Sequence, residues 1–172
     1  VDSAWNVDNI NWSEKYNALR AVAKCPLGTG YAIHESARWS EVHKRWFFFP
    51  RKLSREAYDE VKDEKKCCNL MMSCDANFED VVVKPMLTFM LLRGCSDFFF
   101  VPGTNDCHIF AIRTEETIAG DVLTFASVFD LEGTVLLEEK QVASNRKFEG
   151  VCPKPAPGPS PHGVVEADAA GE

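Results

Sequence analysis

The chain has 172 residues, 45% hydrophobic and 26% charged, the composition of one ordinary globular domain or part of a larger one. Its formal net charge of −7 gives it no electrostatic reason to bind nucleic acid, and an anionic ligand needs local basic side chains or a bridging divalent cation. The longest apolar stretch, Pro85 to Leu92, is far short of the ~20 residues of a membrane-spanning helix, and the start does not read as a signal peptide. The first residue is Val1 rather than Met, which reads as a processed chain or a fragment. Seven cysteines cannot all pair within one chain, and no CxxC spacing points to zinc, so buried free thiols are expected.

The first element is a helix near residues 12–24. Asn11 is placed to cap it and Glu14 to close a capping box. Trp12, Tyr16, Leu19 and Val22 recur at helical spacing, and Cys25-Pro26 ends the pattern because proline disfavours helix in the residue before it. The period then changes to two. Tyr31, Ile33 and Glu35 are expected on one strand face, and Trp46-Phe47-Phe48-Phe49 reads as a return strand stopped by Pro50. Residues 55–66 carry nine charged side chains and read as a solvated loop or helical turn. Three further strand pairs flank loops at 75–80, 102–106 and 130–133, the last with Asp first and Gly fourth as a type I turn prefers.

Four strand-turn-strand units thus follow one another, centred near residues 42, 77, 104 and 131. Antiparallel hairpins in series with phenylalanine-rich strands predict an all-β barrel, sandwich or propeller. A propeller blade holds two hairpins; the four hairpins supply two blades, and residues 1–150 as a whole, with one short N-terminal helix, are read as roughly two and a half, an incomplete ring. From Val151 five prolines alternate within Cys152–His162, so 151–172 is expected to be a disordered, proline-rich tail.

Several stretches, in order, resemble one family. They are Tyr16-Asn17-Ala18-Leu19-Arg20, the run Gly30 to Ser40 containing His34-Glu35-Ser36, and Arg45-Trp46-Phe47-Phe48-Phe49-Pro50-Arg51. Asn69-Leu70, Ser96-Asp97-Phe98-Phe99-Phe100-Val101-Pro102 and Lys147-Phe148-Glu149-Gly150 continue the series. From about Trp12 to Gly150 the chain resembles the C-terminal half of the soluble calcium-activated nucleotidases, the apyrase family. The resemblance implies a five-bladed β-propeller with Ca2+ in its central tunnel. It implies hydrolysis of nucleoside di- and triphosphates to monophosphate and phosphate, in the secretory pathway or outside the cell. Carried over by position, Glu35, Ser96 and Glu149 are the implied calcium ligands, and the remaining family ligands belong to an N-terminal half that this sequence lacks. No catalytic residue is assigned, and the oligomeric state is left open.

The residue types suit this chemistry. Calcium takes 6–8 oxygen ligands, so three protein positions leave the shell incomplete and this chain alone is expected to bind it poorly and to hydrolyse little. Arg51, which closes the Trp-Phe-Phe-Phe-Pro-Arg run, is a candidate for substrate phosphate because a guanidinium fork fits phosphate oxygens; a structural ion pair is the competing role. Lys65 and Lys66 are further candidates for phosphate contact. Alternation separates Ser96 from Asp97, and His34 from Glu35, onto opposite faces. The rival readings are a non-catalytic, propeller-like binding module and a generic secreted β-sandwich.

Overall fold

A computed structural model describes residues 5–7, 9–86 and 90–154. The elements in chain order are α1 (Ser13–Val22), β1 (Tyr31–Ser40), β2 (Arg45–Ser54), β3 (Leu70–Cys74), β4 (Val82–Pro85), β5 (Arg93–Phe100), β6 (His108–Glu116), β7 (Val122–Asp130) and β8 (Val135–Ser144), with a short 3-10 helix at Lys62–Lys65. The strands form two four-stranded antiparallel sheets, β1-β2-β3-β4 and β5-β6-β7-β8, each in sequential order. Each of the four expected hairpins is present, and successive hairpins join in pairs to make a sheet. Among the described residues no helix is long and apolar enough to cross a membrane.

Helix α1 forms where the 3.6-residue pattern places it, but its start differs from the expected capping box. Trp12 holds the cap position without a side-chain hydrogen bond, and Asn11 Oδ1 instead accepts from Ser13 N at 2.9 Å. The helix ends at Val22, before Cys25-Pro26, because Lys24 turns to a φ of 56°. Trp12, Tyr16 and Leu19 form its inner stripe. Trp12 meets Trp46 and Phe78 edge-on at 5.1 and 5.0 Å, and Leu19 is fully buried with Phe48, Met72 and Cys74.

The aromatic run of β2 is explained by burial on both faces. Phe48 points to α1, whereas Phe47 and Phe49 point the other way and pack with Met71 against Cys95, Phe98, Ile109, Ala111 and Phe129 of the second sheet. Each such side chain contributes on the order of 1.5–3 kcal/mol through removal from water. The second sheet is covered on this face, and on its far face Phe99 stacks on Phe110 at 5.1 Å, both only half-buried.

Strand β5 lies closest to β1 and β2, so the sheets meet most intimately through their first strands. Gly94 in β5 permits this approach, because a Cβ there would stand 2.8 Å from the Arg51 carbonyl oxygen and 2.5 Å from Arg51 Cγ. The tips of the sheets are also joined. Ser40 Oγ donates to Asp106 Oδ2 at 2.7 Å, and the His43 ring contacts the Asp106 carbonyl at 3.3 Å. Asn105 and Asp106 hold that loop in the left-handed region at φ 51° and 55°, which short polar side chains tolerate. At the 130–133 turn Gly133 N donates to Asp130 O at 3.0 Å as expected, and Asp130 Oδ1 accepts from Glu132 N and Thr134 N.

Pro50 does not stop β2, contrary to the sequence reading. The strand continues to Ser54, and the missing N–H is absorbed by paired irregularities in the ladder. All seven cysteines are free thiols, and only Cys107 and Cys152 are exposed. The charged stretch 55–66 holds one 3-10 turn whose Asp63 is buried and accepts from Asp59 N at 2.9 Å. The chain stays docked through Val151, whose N–H donates to Asp97 Oδ2 at 2.9 Å and whose carbonyl accepts from Arg38 at 3.2 Å. The expected tail falls outside the described residues from position 155 onward.

Candidate functional site

The site begins with irregularities in strand pairing. Between β1 and β2, Ile33 faces Lys52, His34 faces Pro50 and Ser36 faces Phe49. The ladder therefore passes over Arg51 on one strand and Glu35 on the other. Between β5 and β6, Cys95 faces Arg113 and Asp97 faces Ile112, which passes over Ser96. A bulge frees a residue from the ladder and re-aims its side chain. Here the three residues released are Glu35, Arg51 and Ser96. The simple alternation that placed Glu35 beside Tyr31 and Ile33 is thus interrupted before it reaches Glu35.

The released side chains meet. Arg51, only 3% exposed, donates from Nη1 to Thr114 Oγ1 at 2.7 Å, Ser96 Oγ at 3.0 Å and Glu35 Oε2 at 3.3 Å. Its Nη2 donates to Glu116 Oε2 at 2.7 Å. Ser96 and Thr114 also share a hydrogen bond between their hydroxyls. Lys147 completes the group: its ammonium lies 3.0 Å from Glu149 Oε1, 3.6 Å from Glu116 Oε2 and 3.8 Å from Glu35 Oε1. Three carboxylates, two hydroxyls and two cations from β1, β2, β5, β6 and the segment after β8 therefore form one cluster. Among the described residues, no group of three or more His, Cys, Asp and Glu side chains is itself arranged to hold a metal ion; the carboxylates gather on the two cations.

The structure thus brings together Glu35, Ser96, Glu149 and Arg51. Thr114, Glu116 and Lys147 were not singled out from sequence as site residues. Lys65 is exposed and Lys66 pairs with Glu56 at 3.0 Å; among the described residues neither forms an ion pair with the cluster carboxylates. Their turn nevertheless lies beside the end of β2 that carries Arg51, since Cys68 N donates to Arg51 O and Leu53 N to Lys66 O, each at 3.1 Å. Glu64 of the same turn accepts from Ile118 N, two residues beyond Glu116.

Neighbouring side chains go elsewhere, as the alternation argument expected. Asp97 accepts from Arg38 at 3.0 Å and from Val151 N, away from Ser96. His34 stacks on Tyr16 at 4.8 Å, on the α1 side, where burial and then nearby Arg20 push its pKa down to about 4. It is a neutral packing residue and takes no part in the carboxylate cluster.

Comparison with known proteins gives the cluster its context. The chain is 42% identical over 146 residues to Soluble calcium-activated nucleotidase 1 of Mus musculus, a match covering 85% of this chain and 36% of that protein. It is 40% identical over 153 residues to Apyrase of Cimex lectularius, covering 88% and 41% of the two chains. With Apyrase apy-1 of Caenorhabditis elegans it is 37% identical over 147 residues, covering 85% and 41%. The chain therefore spans about two fifths of the length of these relatives. The Apyrase family model matches residues 1–152, a span that takes in every strand and every member of the cluster, and the chain belongs to the apyrase family.

Proposed function

We propose that the chain is the C-terminal part of a calcium-dependent enzyme that hydrolyses nucleoside di- and triphosphates to monophosphate and phosphate, working in the secretory pathway or outside the cell. The observation that carries this reading is the meeting of Glu35, Ser96 and Glu149, which lie far apart in sequence, in one cluster with Arg51 and Lys147. The two sheets correspond to neighbouring blades of a five-bladed propeller. Their approach through the first strands supports this, because inner strands converge on a propeller axis and carry its central site.

The donor set fits calcium. Two carboxylates and a hydroxyl are hard oxygen ligands, and Glu35, Glu149 and Ser96 are the residues that would hold the ion. When bound, calcium supplies charge neutralisation and polarisation of a phosphoryl oxygen. The protein's own part is to fix the donors. Arg51 anchors Glu35 and Ser96 from within the wall, and Thr114 holds Arg51. Arg51 is 3% exposed and turns to four protein partners, so its contacts favour the structural role. Lys65 and Lys66, on the turn beside the end of β2 that carries Arg51, are the candidates for substrate phosphate, Lys66 by leaving its pairing with Glu56.

The test joins residues 1–152 to the N-terminal portion of a full-length relative. Calcium-dependent phosphate release from a nucleoside diphosphate is expected from the joined protein and not from the 172-residue chain. Glu35→Gln in the joined protein should raise the calcium concentration needed without unfolding it. A folded but inactive joined protein favours the non-catalytic binding module. Robust calcium-independent hydrolysis by the short chain overturns both the shared site and the partial-chain reading.

A further inference from the structure

The two cations of the cluster are held differently. Arg51 is locked by four contacts in a buried slot, three of them sharing the two hydrogens of one nitrogen. Lys147 is 21% exposed, and two of its three carboxylate contacts are long, at 3.6 and 3.8 Å. The backbone around Lys147 is pinned, since Thr124 Oγ1 donates to Arg146 O at 2.8 Å and accepts from Phe148 N at 3.4 Å. Its four-carbon side chain and rotatable ammonium are therefore the movable part. Charge points the same way. Glu35, Glu116 and Glu149 face Arg51 and Lys147, which leaves one negative charge in excess. Replacing the ammonium by a divalent ion brings the cluster to neutrality, whereas adding that ion beside the ammonium leaves it positive.

Building on the calcium reading above, we propose that Lys147 is a tethered resident cation. It holds Glu35, Glu116 and Glu149 together in the metal-free protein, and a divalent cation binds by displacing it. The exchange sets calcium affinity: the ion has to outcompete an ammonium already at the carboxylates, and the site stays ordered when calcium is scarce. No covalent step is involved; the side chain swings outward, and the carboxylates pass from one cation to the other.

The test uses the joined protein described above, in which the remaining calcium donors are supplied, with Lys147→Met and Lys147→Arg. In chelator, Lys147→Met should lower the midpoint of thermal unfolding, because three carboxylates lose their neutralising partner, while Lys147→Arg should hold it. In a calorimetric calcium titration Lys147→Met should bind roughly five- to ten-fold more tightly than wild type, the scale of one charge removed at short range in a half-exposed site. Lys147→Arg should bind no more tightly than wild type. Equal calcium affinity in wild type and Lys147→Met, or an unchanged metal-free midpoint in Lys147→Met, overturns the displacement and leaves the calcium reading standing. Millimolar calcium with no heat and no stabilisation in any of the three proteins overturns the calcium reading itself, and displacement with it.

Discussion

Two buried-arginine clusters stand side by side in this molecule and differ in one respect. In the second, Arg93 donates to Glu115 and Glu139, and Arg113 donates to Glu139 at 3.1 Å and to the Arg93 carbonyl at 3.0 Å. All four side chains are at most 20% exposed, and the Arg93 guanidinium also lies 3.3 Å from the Phe125 ring centre. Among the described residues two cations meet two carboxylates there, so these four side chains balance in charge. In the first cluster the carboxylates outnumber the cations, and Glu116 and Glu149 are 43% and 67% exposed. The neighbours Glu115 and Glu116 at the end of β6 serve one cluster each. A balanced network at most 20% exposed ties strands together, whereas the one left negative and open to water on its carboxylate side is the one for which we propose a cation.

The comparison breaks or sharpens most decisively at the arginines. Arg51→Met should cost about 3–5 kcal/mol, read from chemical denaturation, because it strips a buried charge from two carboxylates and two hydroxyls at once. Arg93→Met should cost less, about 2 kcal/mol, since Arg113 still holds Glu139 and only Glu115 loses its partner. The reverse order would mean that the second cluster, not the first, is the principal tie between strands. Gly94→Ala tests the wall between the clusters and should cost about 1–3 kcal/mol, because the new methyl presses on Arg51 backbone and side chain. No loss of stability would show that the sheets separate there without penalty.

The smallest effect is chemical. Cys67 is buried in that same wall near both Arg51 and Arg113, and burial pushes its thiol up despite their opposing pull. Burial likewise pushes Cys95 up to about 12 and Cys68 and Cys74 to about 11. Alkylation needs the thiolate, so brief iodoacetamide treatment of the folded protein at pH 8 should mark Cys107 and Cys152 and spare these four. Peptide mass mapping that finds Cys67 labelled would show water reaching between the clusters.

Much of the fold was legible because its signals are local. Trp12, Tyr16 and Leu19 announce the helix by spacing, and the Asp130–Gly133 turn follows from the chemistry of its first and last residues. Pro50 misled because a proline was read as a stop. In a ladder with compensating bulges its missing N–H has no pairing to break, and a proline inside a strand pattern is itself the sign of such a bulge. The site was legible only in part. Ser96 and Glu149 entered through family resemblance, since a lone serine or carboxylate carries little signal of its own, whereas Glu35, a carboxylate continuing the face of Tyr31 and Ile33, already called for a partner or a metal and the resemblance strengthened it. Glu116 was passed over because its partners, Arg51 and Lys147, are remote in sequence and meet it only after two sheets have formed. Lys147 was in plain view inside the Lys-Phe-Glu-Gly motif, but its role depends on three carboxylates from three separate segments.

The contact between the hairpin tips has a mechanical consequence. Arg51 bonds the sheets at their bulged ends through Ser96, Thr114 and Glu116, and Ser40 bonds them again at the other end of β1 through Asp106. A pair of plates fastened at one point swivels; fastened at both ends of a shared edge, it resists torsion. Twisting one sheet against the other must break a buried guanidinium network or the serine-aspartate bond, so the angle between the sheets is a rigid pitch and not an adjustable hinge. Glu35 and Ser96, on different plates, therefore keep their mutual distance without help from a ligand.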